Sequence, residues 1–478
     1  MNAVPVGEAL APLAVDLDGT LIRSDTLHEG LINVVKLRPL EILPLLRALG
    51  AGKAAFKREV TRHSRLNAAS LPYNKELLTY LREQKAAGRT IGLFTAADQG
   101  VADEVAAHVG LFDMAYGSNG IQNLSGAAKA ESIALHLGPD FAYAGDGQAD
   151  QPIFARAKSV VLVGPVDQLK NRLPTNTMIE ACFPNVQPGL RVWARALRLQ
   201  HWAKNGLVFV AALLAPPAPP VMGQILLLWL LLGVLASATY IINDLFDLAS
   251  DRKHPRKRHR PFAAGTIPVH HGVIAATLMI VGTLLVSLVL PWLSTVMLLA
   301  YLAFTITYSF TLKQMPMVDV TMLAGLFTLR VLAGALPLPT AVSPWLLTFS
   351  MFFFFGLAVI KRYAELERLS RTGGGKAQAR GYTEQDVPIL LTSGISAGFS
   401  AIIIFMVYMI NEQYPRSVYV HPGALWTIMP VLLIWTLRLW HLAVHGRMSE
   451  DPVVFALNDR VSWALGVAVV IILFAARL

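Results

Sequence analysis

The chain has 478 residues, a net charge of +10, 54% hydrophobic residues and only 15% charged ones. Soluble globular proteins carry roughly 25% charged residues, so this composition, with a mean hydropathy of +0.50, excludes a wholly soluble chain. The apolar content and the lack of sustained heptads also exclude disorder and a coiled coil. The single cysteine, Cys182, excludes an intramolecular disulfide framework and a Cys-based zinc site.

No basic region precedes the first apolar stretch, and Asp16 and Asp18 interrupt it, so no signal peptide is expected and the N-terminus is expected to start in the cytoplasm. Residues 1–185 read as a soluble α/β domain. Short apolar runs end in turn signals at LAVDLDGT (13–20), TIGLFTAAD (90–98), FAYAGDG (141–147) and SVVLVG (159–164), with helical patterns such as NKELLTYLREQKAAG (74–88) between them. This alternation predicts a doubly wound parallel sheet, with ligands at the carboxyl ends of the strands. Asp16, Asp18, Thr95 and Asp146 stand at such ends.

In AVDLDGT the two aspartates lie two residues apart at a strand end and share a face. They repel, so either one titrates high or a hard cation such as Mg²⁺ sits between them. A strand-end turn capped by Asp and Gly is the structural alternative. Further along, Thr95 ends a strand, Lys129 stands alone before a helix, and GDGQAD supplies Asp146 and Asp150. The order DxDGT, strand-Thr, Lys, GDxxxD resembles the haloacid dehalogenase superfamily of phosphohydrolases over roughly residues 10–170. The resemblance implies Asp16 as the nucleophile that forms an aspartyl-phosphate and Asp18 as general acid/base. It implies Thr95 and Lys129 on the phosphoryl oxygens, and Mg²⁺ held by the aspartates, including Asp146 with Asp150 in support.

Residues 24–72 fall where that family inserts a cap, here short and helical. Over 31–65 the bases Lys36, Arg38, Arg47, Lys53, Lys57, Arg58, Arg62 and Arg65 outnumber Glu41 and Glu59, and apolar residues are interleaved. Two readings stay open: a basic amphipathic helix on an anionic leaflet, or an ordinary cap packed on its own domain.

Residues 186–478 read as an all-α polytopic membrane domain. Nine candidate spans lie near 193–215, 222–243, 268–289, 291–311, 316–337, 343–361, 388–411, 422–443 and 460–477, each close to the ~20 residues a bilayer crossing needs. The first is weakest, because Arg195, Arg198 and Lys204 lie at its start. The loops after the even spans hold nearly all the Lys and Arg, including the run 252–260, Lys313, the stretch 361–380 with Lys376 and Arg380, and Arg438 to Arg460. Of the odd loops only the seventh holds one, Arg416. The positive-inside rule puts the even loops in the cytoplasm with the N-terminal domain. This placement argues for a membrane and against a nucleic-acid partner.

The second span ends in NDLFDLASDRKHPRKRHRPFAAG. Asn243, Asp247 and Asp251 repeat at i, i+4 and i+8, with Asp244 beside them. Unpaired, these carboxylates would repel, so Mg²⁺ and through it a polyphosphate are natural partners. Lys257, Arg258 and Arg260 could hold further phosphate oxygens. The alternative is a positive-inside anchor with scattered acids. The motif resembles the UbiA superfamily of membrane prenyltransferases. RALRLQHWAKN (195–205), YSFTLK (308–313), DVTMLAGLFTLRVLAG (319–334), KRYAEL (361–366) and EDPVVFALNDR (450–460) resemble its decaprenyl-phosphate phosphoribosyltransferase branch. That resemblance implies a metal site of Asn243, Asp244, Asp247 and Asp251, with Asp247 catalytic. The substrates would be phosphoribosyl pyrophosphate and a polyprenyl phosphate lipid, with Tyr308, Lys313, Lys361 and Arg362 as phosphate holders. Arg330 either reaches a lipid phosphate or pairs with another helix. Asp319 is followed by Leu323, so the second aspartate pair usual in the superfamily is incomplete. The expected function is phosphoribosyl transfer followed by removal of the product's 5-phosphate at the cytoplasmic face of the inner membrane. The alternatives are prenyl transfer to an aromatic ring and a transporter with a regulatory phosphatase.

Overall fold

The computed structural model describes residues 10–64, 66–174, 177–185, 188–214, 217–371, 381–414, 419–448 and 452–478. Arg65, Lys376, Arg380 and Arg416 lie outside them. The chain divides into two compact units, residues 1–198 with 240–277, and residues 199–239 with 278–478.

The first unit is built on a six-stranded sheet, β1 (Leu13–Val15), β2 (Ile91–Asp98), β3 (Met114–Ser118), β4 (Ala142–Gly145), β5 (Ser159–Gly164) and β6 (Met178–Pro184). The order is β3-β2-β1-β4-β5-β6 and every pairing is parallel. The central strands β1, β4 and β5 are buried along their whole length, as helices on both faces require. Strand order reverses between β1 and β4, and a crevice for ligands opens at their carboxyl ends. Strands β3 and β6 were not apparent from apolar runs. They are the edges, only half-buried, and read MAYGS and MIEACFP. Between β1 and β2, helices Thr26–Leu37, Ile42–Gly50 and Lys53–Ser64 pack around Val34, Leu45 and Val60 as a small cap.

Among the described residues, seven helices are long and apolar enough to cross a bilayer: Pro219–Phe246, Val269–Ser287, Trp292–Phe310, Val318–Ala335, Pro344–Arg368, Glu384–Gln413 and Pro422–Val444. The segment expected as the first span is not one α-helix. It is a 3₁₀ stretch, Leu199–Phe209, followed by a short helix, Val210–Leu214. At about 2.0 Å per 3₁₀ residue and 1.5 Å per α residue it extends about 30 Å, the depth of the hydrocarbon core. Irregular backbone is tolerated there only when protein covers it. A Cβ on Gly334 would lie 1.7 Å from the Val208 carbonyl oxygen, and Gly233 lies against the Trp202 ring, whose Nε1 donates to Ser237 Oγ at 2.9 Å.

The last apolar helix, Arg460–Ala475, has 16 residues, yet it completes a crossing. The His421 N–H donates to the Ala476 carbonyl at 2.9 Å, Tyr419 Oη donates to Leu214 O at 3.1 Å, and Arg477 Nη2 donates to Leu213 O at 2.6 Å. Residues 213–214, 419–421 and 476–477 therefore share one end of the second unit. An even number of crossings therefore separates residue 214 from 421, and 421 from 476. In a Cys182→Ser background, single cysteines at positions 218, 419 and 478 should react with an impermeant thiol reagent on intact cells, and those at 255 and 313 should not. Labelling at 255 or 313 would contradict this topology.

Candidate functional sites

At the carboxyl end of β1, Asp16 Oδ1 accepts from the Leu17 N–H at 2.8 Å and from Lys129 Nζ at 2.8 Å. Lys129 is buried in the first turn of helix Ala127–Leu137. Its Nζ also lies 2.9 Å from Tyr143 Oη and 3.5 Å from Asp150 Oδ1, and Tyr143 Oη donates to that Oδ1 at 2.7 Å. Asp146 follows β4, and its Oδ1 accepts from Thr20 Oγ1 at 3.3 Å. Asp16, Asp146 and Asp150 each offer an oxygen within 4.8 Å of the others. A capped turn gathers no third carboxylate, so the DxDGT segment serves more than chain reversal. Its glycine is required: Gly19 has φ +78°, and a Cβ there would lie 2.1 Å from Asp146 Oδ2.

Asp18 stands outside that triad. Its carboxylate accepts from the Thr26 N–H at 2.8 Å and Thr26 Oγ1 at 3.2 Å, which aims it at the start of the cap and away from a ligand role. Thr95 is fully buried, and its Oγ1 accepts from the Ala97 N–H at 3.0 Å. Lys57 was counted at first only as a cap base. From helix Lys53–Ser64 it reaches the last part of β2, donating to Ala96 O at 2.6 Å, and to Asn123 Oδ1 at 2.8 Å. No sequence motif singled it out, because its position is set by how the cap folds over the sheet.

Burial raises Asp16 to about 6, Lys129 pulling it down and Asp150 pushing it up. Burial, with Asp25 nearby, raises Asp18 to about 8 against the Thr26 N–H. Burial and then Asp16 and Asp150 raise Asp146 well above the carboxylate range. Burial opposes the charge of Lys129, but Asp16 and Asp150 outweigh it and hold its pKa above the usual value. Three buried carboxylates beside one ammonium leave excess negative charge, and their hard oxygens suit Mg²⁺.

The sign of the pH dependence follows. Asp16 and Asp18 titrate higher in the folded chain than unfolded, so the folded state binds more protons. Their contribution is present below the ordinary carboxylate range and is lost as pH rises through about 6 and about 8. Mg²⁺ should therefore increase hydrogen-exchange protection of β1 and β4 more at about pH 8 than at about pH 5. An equal increase at both would argue against a cation at the triad.

The second acidic cluster lies where helix Pro219–Phe246 ends. The helix breaks at Asp247 (φ −99°, ψ 9°) and resumes as Leu248–Lys253. The bonds from Asp247 N to Asn243 O (3.0 Å) and from Asp251 N to Asp247 O (2.8 Å) carry the register across the break, so the fourfold spacing survives. Buried Asp244 pairs with Arg198, and Arg260 Nη1 lies 3.1 Å from Asp244 Oδ1 and 2.7 Å from Asp251 Oδ2. Asp247 lies 3.7 Å from Lys36 Nζ, and Asn243 is half-buried nearby in the helix. Two carboxylates on one guanidinium show that the cluster accommodates a cation between them. Arg198 was read only as a charge ahead of a span. It holds φ +51°, and its guanidinium lies 4.8 Å from the Tyr240 ring centre. Lys257 and Arg258 are exposed, and Arg258 Nε meets His259. Arg260 of the basic run faces Asp244 and Asp251.

In the second unit, Tyr308 ends helix Trp292–Phe310, Lys313 follows it, and Asp319 opens helix Val318–Ala335. Lys361 and Arg362 lie on helix Pro344–Arg371. Arg362 is fully buried. Its Nε donates to Asp319 Oδ2 at 2.5 Å, its Nη1 pairs with Glu365, and Tyr382 Oη completes the Asp319 site. Arg362 is thus paired inside the protein through Nε and Nη1, while its buried Nη2 meets no hydrogen-bond partner. Arg330 pairs with two neighbouring elements and with a carbonyl of its own helix. Its Nε donates to Asn205 Oδ1 at 2.9 Å, Nη2 to Tyr301 Oη at 2.8 Å and Nη1 to Leu326 O at 2.6 Å. Arg362→Met should cost about 3–5 kcal/mol by stranding Asp319, and adding Asp319→Leu should recover most of it, read as thermal unfolding in detergent. A single variant with unchanged unfolding but lost activity would return Arg362 to substrate binding.

The profile of the UbiA prenyltransferase family matches residues 206–475, more than half of the chain. The chain belongs to the UbiA prenyltransferase family, and it is a multi-pass membrane protein and a transferase. Uncharacterized protein y4nM of Sinorhizobium fredii is 36% identical over 458 residues, covering 95% of this chain and 89% of that one. Decaprenyl-phosphate phosphoribosyltransferase of Mycobacterium tuberculosis is 29% identical over 282 residues, covering 57% of this chain and 90% of that one. A solved UbiA homolog from Archaeoglobus fulgidus bound to DMAPP and Mg²⁺ aligns with a TM-score of 0.45 at 15% identity, covering 60% of this chain and 98% of that one.

Proposed function

We propose that the chain transfers 5-phosphoribosyl from phosphoribosyl pyrophosphate to a polyprenyl phosphate, and that the α/β domain then removes the 5-phosphate of the product. The observation that carries the tandem reading is the pocket beside Asp18 and Asp146, about 300 Å³ in volume. It is lined by Asp18, Arg23 and Asp146 from the α/β domain, and by Gly265, Thr266 and His270 from the stretch that follows the second acidic cluster and opens a membrane helix. A wall made from the start of a membrane helix suits a phosphate ester tethered in lipid better than a soluble metabolite. The locking of Asp319 by Arg362 and Tyr382 also disfavours a second metal motif of the kind an aromatic prenyltransferase uses.

In the transfer step Asp244, Asp247 and Asp251 would hold Mg²⁺, which would offset the charge of the leaving pyrophosphate. Arg198 and Arg260 border these carboxylates and balance their charge. Positive charge builds on ribose C1 as the bond to pyrophosphate breaks, and a lipid phosphate oxygen forms the new bond there. In the second step Asp16, Asp146 and Asp150 would hold Mg²⁺. With Oδ1 held by Leu17 N–H and Lys129, Asp16 Oδ2 attacks phosphorus and forms an aspartyl-phosphate. Asp18, protonated near neutrality by its raised pKa, gives its proton to the departing ribose oxygen and then takes one from the hydrolytic water. Lys129 neutralises the phosphoryl oxygens.

Purified protein with Mg²⁺, labelled phosphoribosyl pyrophosphate and polyprenyl phosphate should make a labelled lipid without a 5-phosphate. Asp247→Asn should lower labelling more than about 100-fold, since several kcal/mol of charge stabilisation are lost, while turnover of a soluble phosphate ester persists. Asp16→Asn should keep the labelling and leave the 5-phosphate in place. No labelled lipid from the wild type would refute the transfer, and a wild-type product that keeps its 5-phosphate would refute the second step.

A further inference from the structure

The cap exposes a row of leucines that its own core does not use. Helix Ile42–Gly50 buries Leu45 against Val34 and Val60. On the other side Leu43, Leu46 and Leu49 are 64%, 59% and 53% exposed, and Leu40 just before them is 85% exposed. At 100° per residue the three helical leucines fall within a sector of about 120°. Single exposed apolar residues need no explanation, but a contiguous row of four large ones does.

Two features of the same unit say what covers this row. The first is charge. Lys36, Arg38, Arg47 and Lys53 are exposed around the leucines, and Glu41 is the one acid between residues 36 and 53. The second is position. Helix Thr26–Leu37 ends with Lys36, whose Nζ donates to the Phe246 carbonyl at 2.5 Å and lies 3.7 Å from Asp247. Phe246 is the last residue of a membrane-length helix. The leucine row begins four residues after Lys36, within about 14 Å of chain from that contact.

We infer that helix Ile42–Gly50 lies in the cytoplasmic leaflet, with Leu40, Leu43, Leu46 and Leu49 among the acyl chains and the flanking bases on anionic headgroups. A short apolar row alone gives marginal membrane binding, and a second signal makes it stable. Here that signal is the attachment of Lys36 beside Phe246, together with the bases Arg38, Arg47 and Lys53. The contact fixes the cap, and with it the Asp16 site, at the lipid surface. It depends on neither proposed reaction.

The test uses the full-length protein in nanodiscs, in a Cys182→Ser background, with a single cysteine at position 43 or 46 carrying an environment-sensitive fluorophore. Position 135 serves as control, since Leu135 is 80% exposed on the same unit. Labels at 43 and 46 should be quenched several-fold more by acyl-chain spin-labelled lipid than the label at 135, and less by aqueous iodide. The lipid quenching should be greater in anionic than in zwitterionic discs. Iodide access equal to that at 135 would overturn the inference. So would self-quenching between two copies without lipid quenching, which would make the face a contact between chains. Equal lipid quenching in both disc types would overturn the assignment to an anionic leaflet. The labelled positions point out of the cap core, so failure to fold does not confound the measurement.

Discussion

The first unit depends on one buried ion pair. Arg252, six residues beyond the end of helix Pro219–Phe246, places Nη2 2.7 Å and Nη1 2.9 Å from the Glu29 carboxylate of the cap. Its other donors are used as well, Nε to Ala263 O at 2.9 Å and Nη1 to Ser70 O at 3.1 Å. A buried pair in this geometry contributes less to stability than to register, since its Coulomb gain is spent largely on desolvation. Its consequence here is architectural. It pins the turn after the NDxxD cluster onto the cap helix, beside the point where Gly265 packs on the Arg23 carbonyl. The pocket at Asp18 and Asp146 acquires its far wall through this attachment.

The same electrostatic problem recurs at each site and is met differently. In the α/β domain buried Asp16 and Asp150 and half-buried Asp146 share one lysine, and desolvation, reinforced by the neighbouring carboxylates, raises Asp16 and Asp146. At the end of helix Pro219–Phe246, arginines and Lys36 flank the aspartates, so the cluster is nearly neutral before any metal arrives. In the second unit Arg330 and Arg362 are buried and bonded to neighbouring helices or to Asp319. A cation at that depth is costly unless paired. These two arginines tie neighbouring elements together in the second unit.

Some residues announced their place and others could not. The spacing of Asp16 and Asp18, and of Asn243, Asp247 and Asp251, is local, so the motifs were legible as such. Asp150 and Lys129 were legible only through the order of motifs. Lys57, Arg198, Tyr382 and Glu29 carried no signal of their own. Each acts across a long gap in sequence, on Ala96, Asp244, Asp319 and Arg252 respectively. The edge strands β3 and β6 were missed because a half-buried edge needs no continuous apolar run. The first crossing was misread as a helix because apolar length measures depth and not backbone hydrogen bonding.

By itself the sequence determined the class of each half. Alternating strands and helices dictate a parallel sheet, and apolar segments of bilayer length dictate a membrane bundle. Both follow from periodicity and charge, which are properties of short stretches. Only the tertiary structure decided that residues 240–277, apolar and basic like the membrane half, pack with the α/β domain. It also decided that Asp18 bonds to Thr26 at the start of the cap, and that Arg362 and Tyr382 meet on Asp319. Those outcomes rest on which distant group satisfies a buried charge, and desolvation makes that choice only once the chain has closed around it.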